Sequence, residues 1–250
     1  MSFTWTTFQQ ALAIEMAVPN GSPADPQFAA IVNTLVDQGE QRCYRDLDLL
    51  NATIAQTIAL TPRKSTLDFS SLTPQILILE DAWLIVPAGV TDPDKGERQP
   101  IHVVSKEWVR TIYGLSATVG PPQYCALRDD HTLVFGPFPD KAYTAELVGK
   151  FRPAPLYGAA PGDGTQTTYL ASVLPDLFLA ATMIAATGYQ HNFGAQSDSP
   201  QSAMSWEQQY GGLLQSAINE EQRKKFQGWM ALSSVKPPLP MVPPTQGPAG

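Results

Sequence analysis

Apolar positions along this chain recur with two different periods, and the places where the period changes divide it into segments. Phe28, Ile31, Val32, Leu35 and Val36 fall on one helical face that continues through Cys43 and Leu47, with Asp25 as N-cap and Pro26 at the first helical position. This predicts a helix of about 24 residues, roughly 36 Å long at 1.5 Å per residue. A shorter helix over 8–17, capped by Thr6 or Thr7 and ended by Pro19-Asn20-Gly21, precedes it. Residues 51–60 (NATIAQTIAL) then turn β-branched, Pro62-Arg63-Lys64-Ser65 offers a turn and 66–69 can return, which predicts a hairpin. Residues 75–86 (QILILEDAWLIV) are the most strand-like in the chain, and Glu80-Asp81 between two apolar runs predicts a bulge or an exposed edge. A polar loop over 87–100 follows. Ser105 can cap a short helix over 103–113, with Trp108 and Ile112 one turn apart and Gly114 as its stop.

Three further runs, 123–128 (QYCALR), 131–135 (HTLVF) and 142–152 (AYTAELVGKFR), read as a three-strand antiparallel ribbon separated by turn residues. In the third, Tyr143, Ala145, Leu147 and Gly149 point one way. Thr144, Glu146, Val148 and Lys150 point the other, so that one face should be mostly wet. Residues 153–168 have no periodicity and form a long loop of the kind that is functional or mobile. Ser172, Pro175 and Asp176 open a helix over 173–189 that is apolar nearly all round. Ala180, Ala181, Ala185 and Ala186 leave room for close contact, making this the innermost helix. After a break at 194–200, a last helix over 203–227 carries the stripe Trp206, Tyr210, Leu213, Leu214, Ala217 and Ile218. It is closed by i,i+4 pairs of Glu220 with Lys224 and Glu221 with Lys225, and by Gly228.

Residues 229–250 are a different material. Pro237, Pro238, Pro240, Pro243, Pro244 and Pro248 predict an extended tail, able to reach roughly 60 Å at about 3.1 Å per residue. The tail carries Trp229, Met230, Leu232, Val235, Leu239, Met241 and Val242, whereas a merely solubilising tail would be polar. It reads as an arm laid on another chain; a tail folded over its own subunit, or a disordered one, is the alternative. The fold class is therefore α+β: a helical bundle of long helices (1–50 and 173–228) with an inserted mainly antiparallel β domain (51–152), a long loop (153–172) and an extended Pro-rich C-terminal arm (229–250).

Charge narrows the function. The chain has 250 residues, 43% of them apolar, which is enough for a real core. A net charge of -7 with only 16 Lys plus Arg gives no general attraction to phosphate backbones. The first 20 residues lack a secretory signal, because Gln9, Gln10 and Glu15 interrupt the apolar run. The longest apolar run, 173–186, is too short to span a bilayer. Cys43 and Cys125 have no metal-ligand spacing and read as two reduced, partly buried thiols.

Candidate chemistry is sparse. His102, His131 and His191 lack a ligand at i+4, and residues 92–97 fail as a calcium loop because Glu97 stands where Gly is needed. Gly162-Asp163-Gly164 lacks the remaining signature of a nucleotide loop, and no Gly-x-Ser-x-Gly elbow occurs. Glu107 is at most a lone acid. The reading is no enzyme, no cofactor and no metal. A cell-wall hydrolase is the rival, and it would need Glu107 or Glu146 joined to a second carboxylate in a cleft. An unrelated soluble interaction module is the third reading.

The order of segments resembles the head-tail adaptor, or connector, proteins of short-tailed double-stranded DNA phages, the group that includes tail tubular protein A. The resemblance rests on Gln41-Arg42-Cys43-Tyr44-Arg45-Asp46-Leu47-Asp48-Leu49 and on Pro122-Gln123-Tyr124 through Leu133-Val134-Phe135-Gly136-Pro137-Phe138-Pro139-Asp140 to Tyr143. Phe151-Arg152-Pro153, residues 169–179 (YLASVLPDLFL) and Trp206 to Tyr210 complete it. It covers roughly residues 25–227. The resemblance implies a virion protein of the neck, made in the host cytoplasm, with no membrane partner. Its copies would form a ring, twelve-fold in similar proteins, bound to the portal protein above and to a tail nozzle or tube protein below. Double-stranded DNA would pass through without specific binding. In that setting the arm residues Trp229 to Val242 become a portal-binding arm.

Overall fold

The computed structural model of the chain describes residues 2–18, 21–115, 118–190 and 200–234, with the backbone alone for 189–190, 200–203 and 227–234. Two helices open it. Helix α1 (Trp5–Glu15) is capped by Thr4, not by Thr6 or Thr7: the Thr4 and Thr7 side chains each accept from the other's backbone N–H. Thr6 is already helical, and its hydroxyl donates to the Gly164 carbonyl at 2.9 Å. Helix α2 (Pro26–Asp46) starts as the sequence indicates, with the Asp25 carboxylate accepting from Gln27 and Phe28 N–H, both at 3.0 Å. It is 21 residues long, slightly short of expectation.

A turn of 3-10 helix at Leu50–Ala52 leads into nine strands: β1 (Thr53–Ala59), β2 (Thr66–Asp68), β3 (Ile76–Val86), β4 (Glu97–Val103), β5 (Val119–Gly120), β6 (Tyr124–Asp129), β7 (Thr132–Gly136), β8 (Phe138–Pro139) and β9 (Thr144–Phe151). Among the described residues the only α-helix between them is α3 (Lys106–Ile112), whose N-cap is Ser105, accepting from Trp108 N–H. Seven strands form one sheet in the order β1-β9-β3-β4-β6-β7-β2, and β5 pairs with β8. The edge strands β1 and β2 are neighbours in sequence, and this forces the sheet to curl. Seven strands laid flat would span about 29 Å at ~4.8 Å spacing, whereas the link from Ala59 to Thr66 covers at most about 25 Å even fully extended. The link is in fact turned. Arg63 sits at φ 59°, Leu60 N–H bonds Tyr143 O at 2.8 Å and Arg63 N–H bonds Pro139 O at 2.7 Å.

Three strand expectations are corrected. Segments 51–60 and 66–69 are strands but not a hairpin: β1 pairs with β9 and β2 with β7. The three-strand ribbon is a hairpin only, β6 with β7, because β9 lies between β1 and β3. The loop at 87–100 contains the start of β4, antiparallel to β3 and parallel to β6. The Glu80-Asp81 reading holds: the β3–β9 register shifts between Leu79 and Asp81. The bulge lies in a strand with partners on both sides.

The wet face expected on β9 is covered. Ala145 and Leu147 point into the sheet's inner core, and Thr144 and Glu146 on the other face are also buried. The segment after β3 lies over them: Thr144 Oγ1 donates to Val90 O at 2.7 Å and Arg98 Nε donates to Glu146 Oε2 at 2.7 Å.

After β9 the chain runs through the long loop, which is tied down. Trp5 N–H bonds Gln166 O at 2.9 Å, and Leu156 N–H bonds the buried Glu40 carboxyl at 3.0 Å. The helix expected over 173–189 is α5 (Pro175–Gln190), and a separate short helix, α4 (Tyr169–Val173), precedes it. Pro175 drives Leu174 out of helical geometry (φ -124°, ψ 51°) and then serves as the first residue of α5. Helix α5 is innermost as expected, with Leu177, Phe178, Ala180, Ala181, Thr182, Met183 and Ala186 all buried. It approaches α2 closely at Gly39, where a Cβ would collide with Thr182 Oγ1 and lie 3.0 Å from the Thr182 backbone.

Helix α6 (Pro200–Ser234) has 35 residues and does not stop at Gly228. The first proline of the tail is Pro237, and an interior glycine costs a helix only about 1 kcal/mol relative to alanine. The backbone of 229–234 is therefore helical, not extended.

The expected fold class is corrected. The chain is α+β, but not a helical bundle of long helices with an inserted mainly antiparallel β domain. Among the described residues α4, α3 and α1 hold 5, 7 and 11 residues, only α2 and α6 exceed twenty, and the largest element is the curled seven-stranded sheet. One apolar core lies among α1, α2, α4, α5 and α6, and a separate one lies inside the sheet.

Candidate interaction surfaces

Where helices meet sheet, five segments distant in sequence converge on one group of charges. Lys150 on β9 donates to Leu49 O at 3.0 Å and Thr53 Oγ1 at 2.8 Å, and pairs with Asp48 at 2.7 Å and with Glu80 of the β3 bulge at 3.5 Å. Asp48 also meets Lys225 of α6, and these two lysines hold its carboxyl below the usual carboxylate range. One turn earlier on α6, buried Glu221 accepts from Leu50 N–H at 3.1 Å, from the Tyr169 hydroxyl at 2.9 Å and from Lys224 at 2.8 Å. Lys224 pairs with Glu220 as expected, but Lys225 pairs with Asp48 and not with Glu221. A cleft of about 520 Å³ opens beside this group, with Arg45, Lys150 and Arg152 along its wall and Leu77 and Ile78 exposed at its rim.

A second surface lies on the outer side of β6 and β7. Val109 of α3 packs on Ala126 and Val134 there, with Val104 and Tyr113 beside them. Outside this small core the aromatic rings continue to the surface. Trp108 and Tyr124 have ring centroids 4.7 Å apart, Trp108 and Tyr113 6.1 Å, Tyr113 and Tyr124 6.1 Å, and His102 and Tyr124 6.0 Å. Trp108 is 38% exposed, Ile112 one turn on is 54% exposed and Leu115 is 74% exposed. Apolar exposure of this kind on a folded protein marks a contact site.

The proposed arm residues divide between two parts of the chain. Trp229, Met230 and Leu232 belong to the last turns of α6, while Val235, Leu239, Met241 and Val242 lie outside the described residues, as do His191 and the expected break at 194–199.

The acids weighed for catalysis are not brought together. Glu146 is held by Arg98, which also pairs with Asp94 at 3.2 Å, and Glu107 is exposed and pairs with Lys106 at 4.0 Å. Cys43 and Cys125 are free and buried, and burial pushes each thiol up to about 12. Among the described residues no group of His, Cys, Asp or Glu could hold a metal ion.

Neither surface is singled out by the sequence. The aromatic patch has one signal there, four rings within residues 102–124, but only the fold shows that they meet and that His102 and Trp108 reach the surface. The charge group has none.

A model of the SU10 adaptor protein family matches residues 3–236, nearly the whole chain. The chain belongs to that family. It is thus a structural adaptor of a bacteriophage virion, a protein whose work is contact with other virion components, as the resemblance implied. No curated protein matches the chain. Among the described residues of this adaptor no helix is long and apolar enough to cross a membrane.

Proposed function

We propose that this adaptor forms a ring below the portal, joins the capsid to the tail and continues the DNA channel, with twelve copies as in similar proteins. The family match over nearly the whole length carries this reading. A ring needs unlike surfaces that meet heterologously, and the exposed aromatic face over β6 and β7 supports the reading as one of them. The net charge of -7 suits a conduit, since repulsion keeps duplex DNA from adhering. The arm begins with the helical residues Trp229, Met230 and Leu232, which meet the portal.

Mixing the protein with portal rings of the same phage tests this by native mass measurement and electron microscopy. The full chain should add to portal in multiples of its 27.1 kDa mass. Truncation after Gly228 should abolish attachment. A full chain that stays monomeric in the mixture would remove the ring, and undiminished attachment after truncation would remove the arm's part in it.

A further inference from the structure

The exposed aromatic patch and the Pro-rich end of the chain have complementary chemistry. A proline-rich segment favours the extended polyproline helix, which has no internal hydrogen bonds and little entropy left to lose, and aromatic-lined surfaces bind such segments. Trp108, Tyr113 and Tyr124 supply an aromatic surface of that kind, with neighbouring centroids 4.7 and 6.1 Å apart. Lys236-Pro237-Pro238-Leu239-Pro240 supplies the segment. Charge agrees as well. Lys236 is the only charged residue after Lys225, and Glu107, next to Trp108 on α3, has its side chain 72% exposed and pairs only loosely with Lys106, at 4.0 Å.

We propose that residues 236–240 dock on the Trp108–Tyr113–Tyr124 patch of a second copy, with Lys236 set against Glu107, and so lock neighbouring copies together. This rests on the ring reading. The choice of a second copy follows from where the described chain ends. Helix α6 runs nine residues past Lys225, which pairs with Asp48 of the body, and this carries the backbone about 13 Å further along its axis at ~1.5 Å per residue. Prolines at 237, 238 and 240 make the continuation a semi-rigid spacer, which disfavours a sharp return to its own sheet. A contact between unlike surfaces of successive copies is also the type that closes a ring.

The test uses the full chain with a photo-cross-linking phenylalanine analogue at Met241, prepared as an equal mixture of ¹⁴N and ¹⁵N subunits and assembled on portal rings. The expected result is isotopically mixed cross-links to residues 102–124. Trp108→Ala should reduce them about tenfold, the loss of ~1.4 kcal/mol of stacking, while Trp108→Phe should retain most of them. Lys236→Glu should also reduce them, and Glu107→Lys in the same chain should restore them, a rescue that a folding defect cannot produce. Cross-links within one copy, cross-links to portal, or yields indifferent to Trp108→Ala and to the charge swap would overturn the proposal. If rings form on the portal without the mixed cross-link, this inference alone fails. If none form, the ring reading fails and takes the inference with it.

Discussion

Glu40 shows how much one buried group can set. It lies in the middle of α2, 3% exposed, and accepts from Leu156 N–H at 3.0 Å, so it pins the long loop to the helical core. Burial raises its carboxyl to about 8; the Leu156 bond opposes this, and the neighbouring charge of Asp37 adds to it. Between about pH 4.5 and 8 the folded chain therefore keeps a proton that the unfolded chain has released. The stability that Glu40 contributes is complete below that window and is lost as pH rises through it, at about 1.4 kcal/mol for each pH unit crossed. Asp48 has the opposite sign: its carboxyl is held low, so its contribution is present above the ordinary carboxylate range and lost only in acid. Glu40→Gln retains an oxygen to accept from Leu156 and cannot ionise. Urea unfolding midpoints of the parent should fall between pH 5 and 8 and those of the variant should fall less; equal slopes would show that Glu40 does not titrate there. The sequence places Glu40 beside the helical stripe, but the loop that buries it arrives from more than a hundred residues away.

At the scale of elements, what the chain encodes locally is readable and what it encodes by pairing is not. The caps Asp25 and Ser105, the bulge at Glu80 and the burial of α5 all follow from residues within a few positions of one another. Strands β1, β2 and β9 are visible as strands, yet their partners are not those expected, because hairpin pairing is only the nearest choice and a curled sheet closes through distant ones. Strand β4 escapes a sequence reading because Glu97, Arg98 and Pro100 resemble loop residues. It is a strand because β3 and β6 flank it. The passage from α2 into β1 depends on Lys150, whose ammonium reaches both sides of it. Lys150→Met keeps the apolar stem and removes the donors, leaving Leu49 O and Thr53 Oγ1 without this partner. The expected cost is about 1–3 kcal/mol, with faster amide exchange concentrated in residues 49–53. Exchange unchanged in that stretch would mean the charge group does not hold the junction.

At the scale of the whole molecule the two apolar cores divide the work of holding shape. The helical core draws on both ends of the described chain, from Phe8 near its start to Ala217 in α6. The buried residues of the sheet core lie between Leu60 and Leu147, with Ile54 and Ile58 of β1 packed against them. The aromatic patch belongs to the sheet side, and the charged junction with Lys150 and Lys225 joins that side to the helices. This arrangement makes Phe178 a discriminating position. It is fully buried on α5 and stacks on Phe8 with centroids 4.4 Å apart and planes 8° from parallel, tying α1 to the innermost helix. Phe178→Ala should cost about 3–5 kcal/mol through lost burial and the cavity left behind. If the cores hold their own elements, amides of α1, α2 and α5 should lose exchange protection well before those of β7 and β9, and Trp108 should remain in its native environment by fluorescence of a variant with the other tryptophans replaced. If helices and sheet lose protection together, the charged junction couples them into one cooperative unit, and the sheet surface cannot stay formed while the helical side loosens.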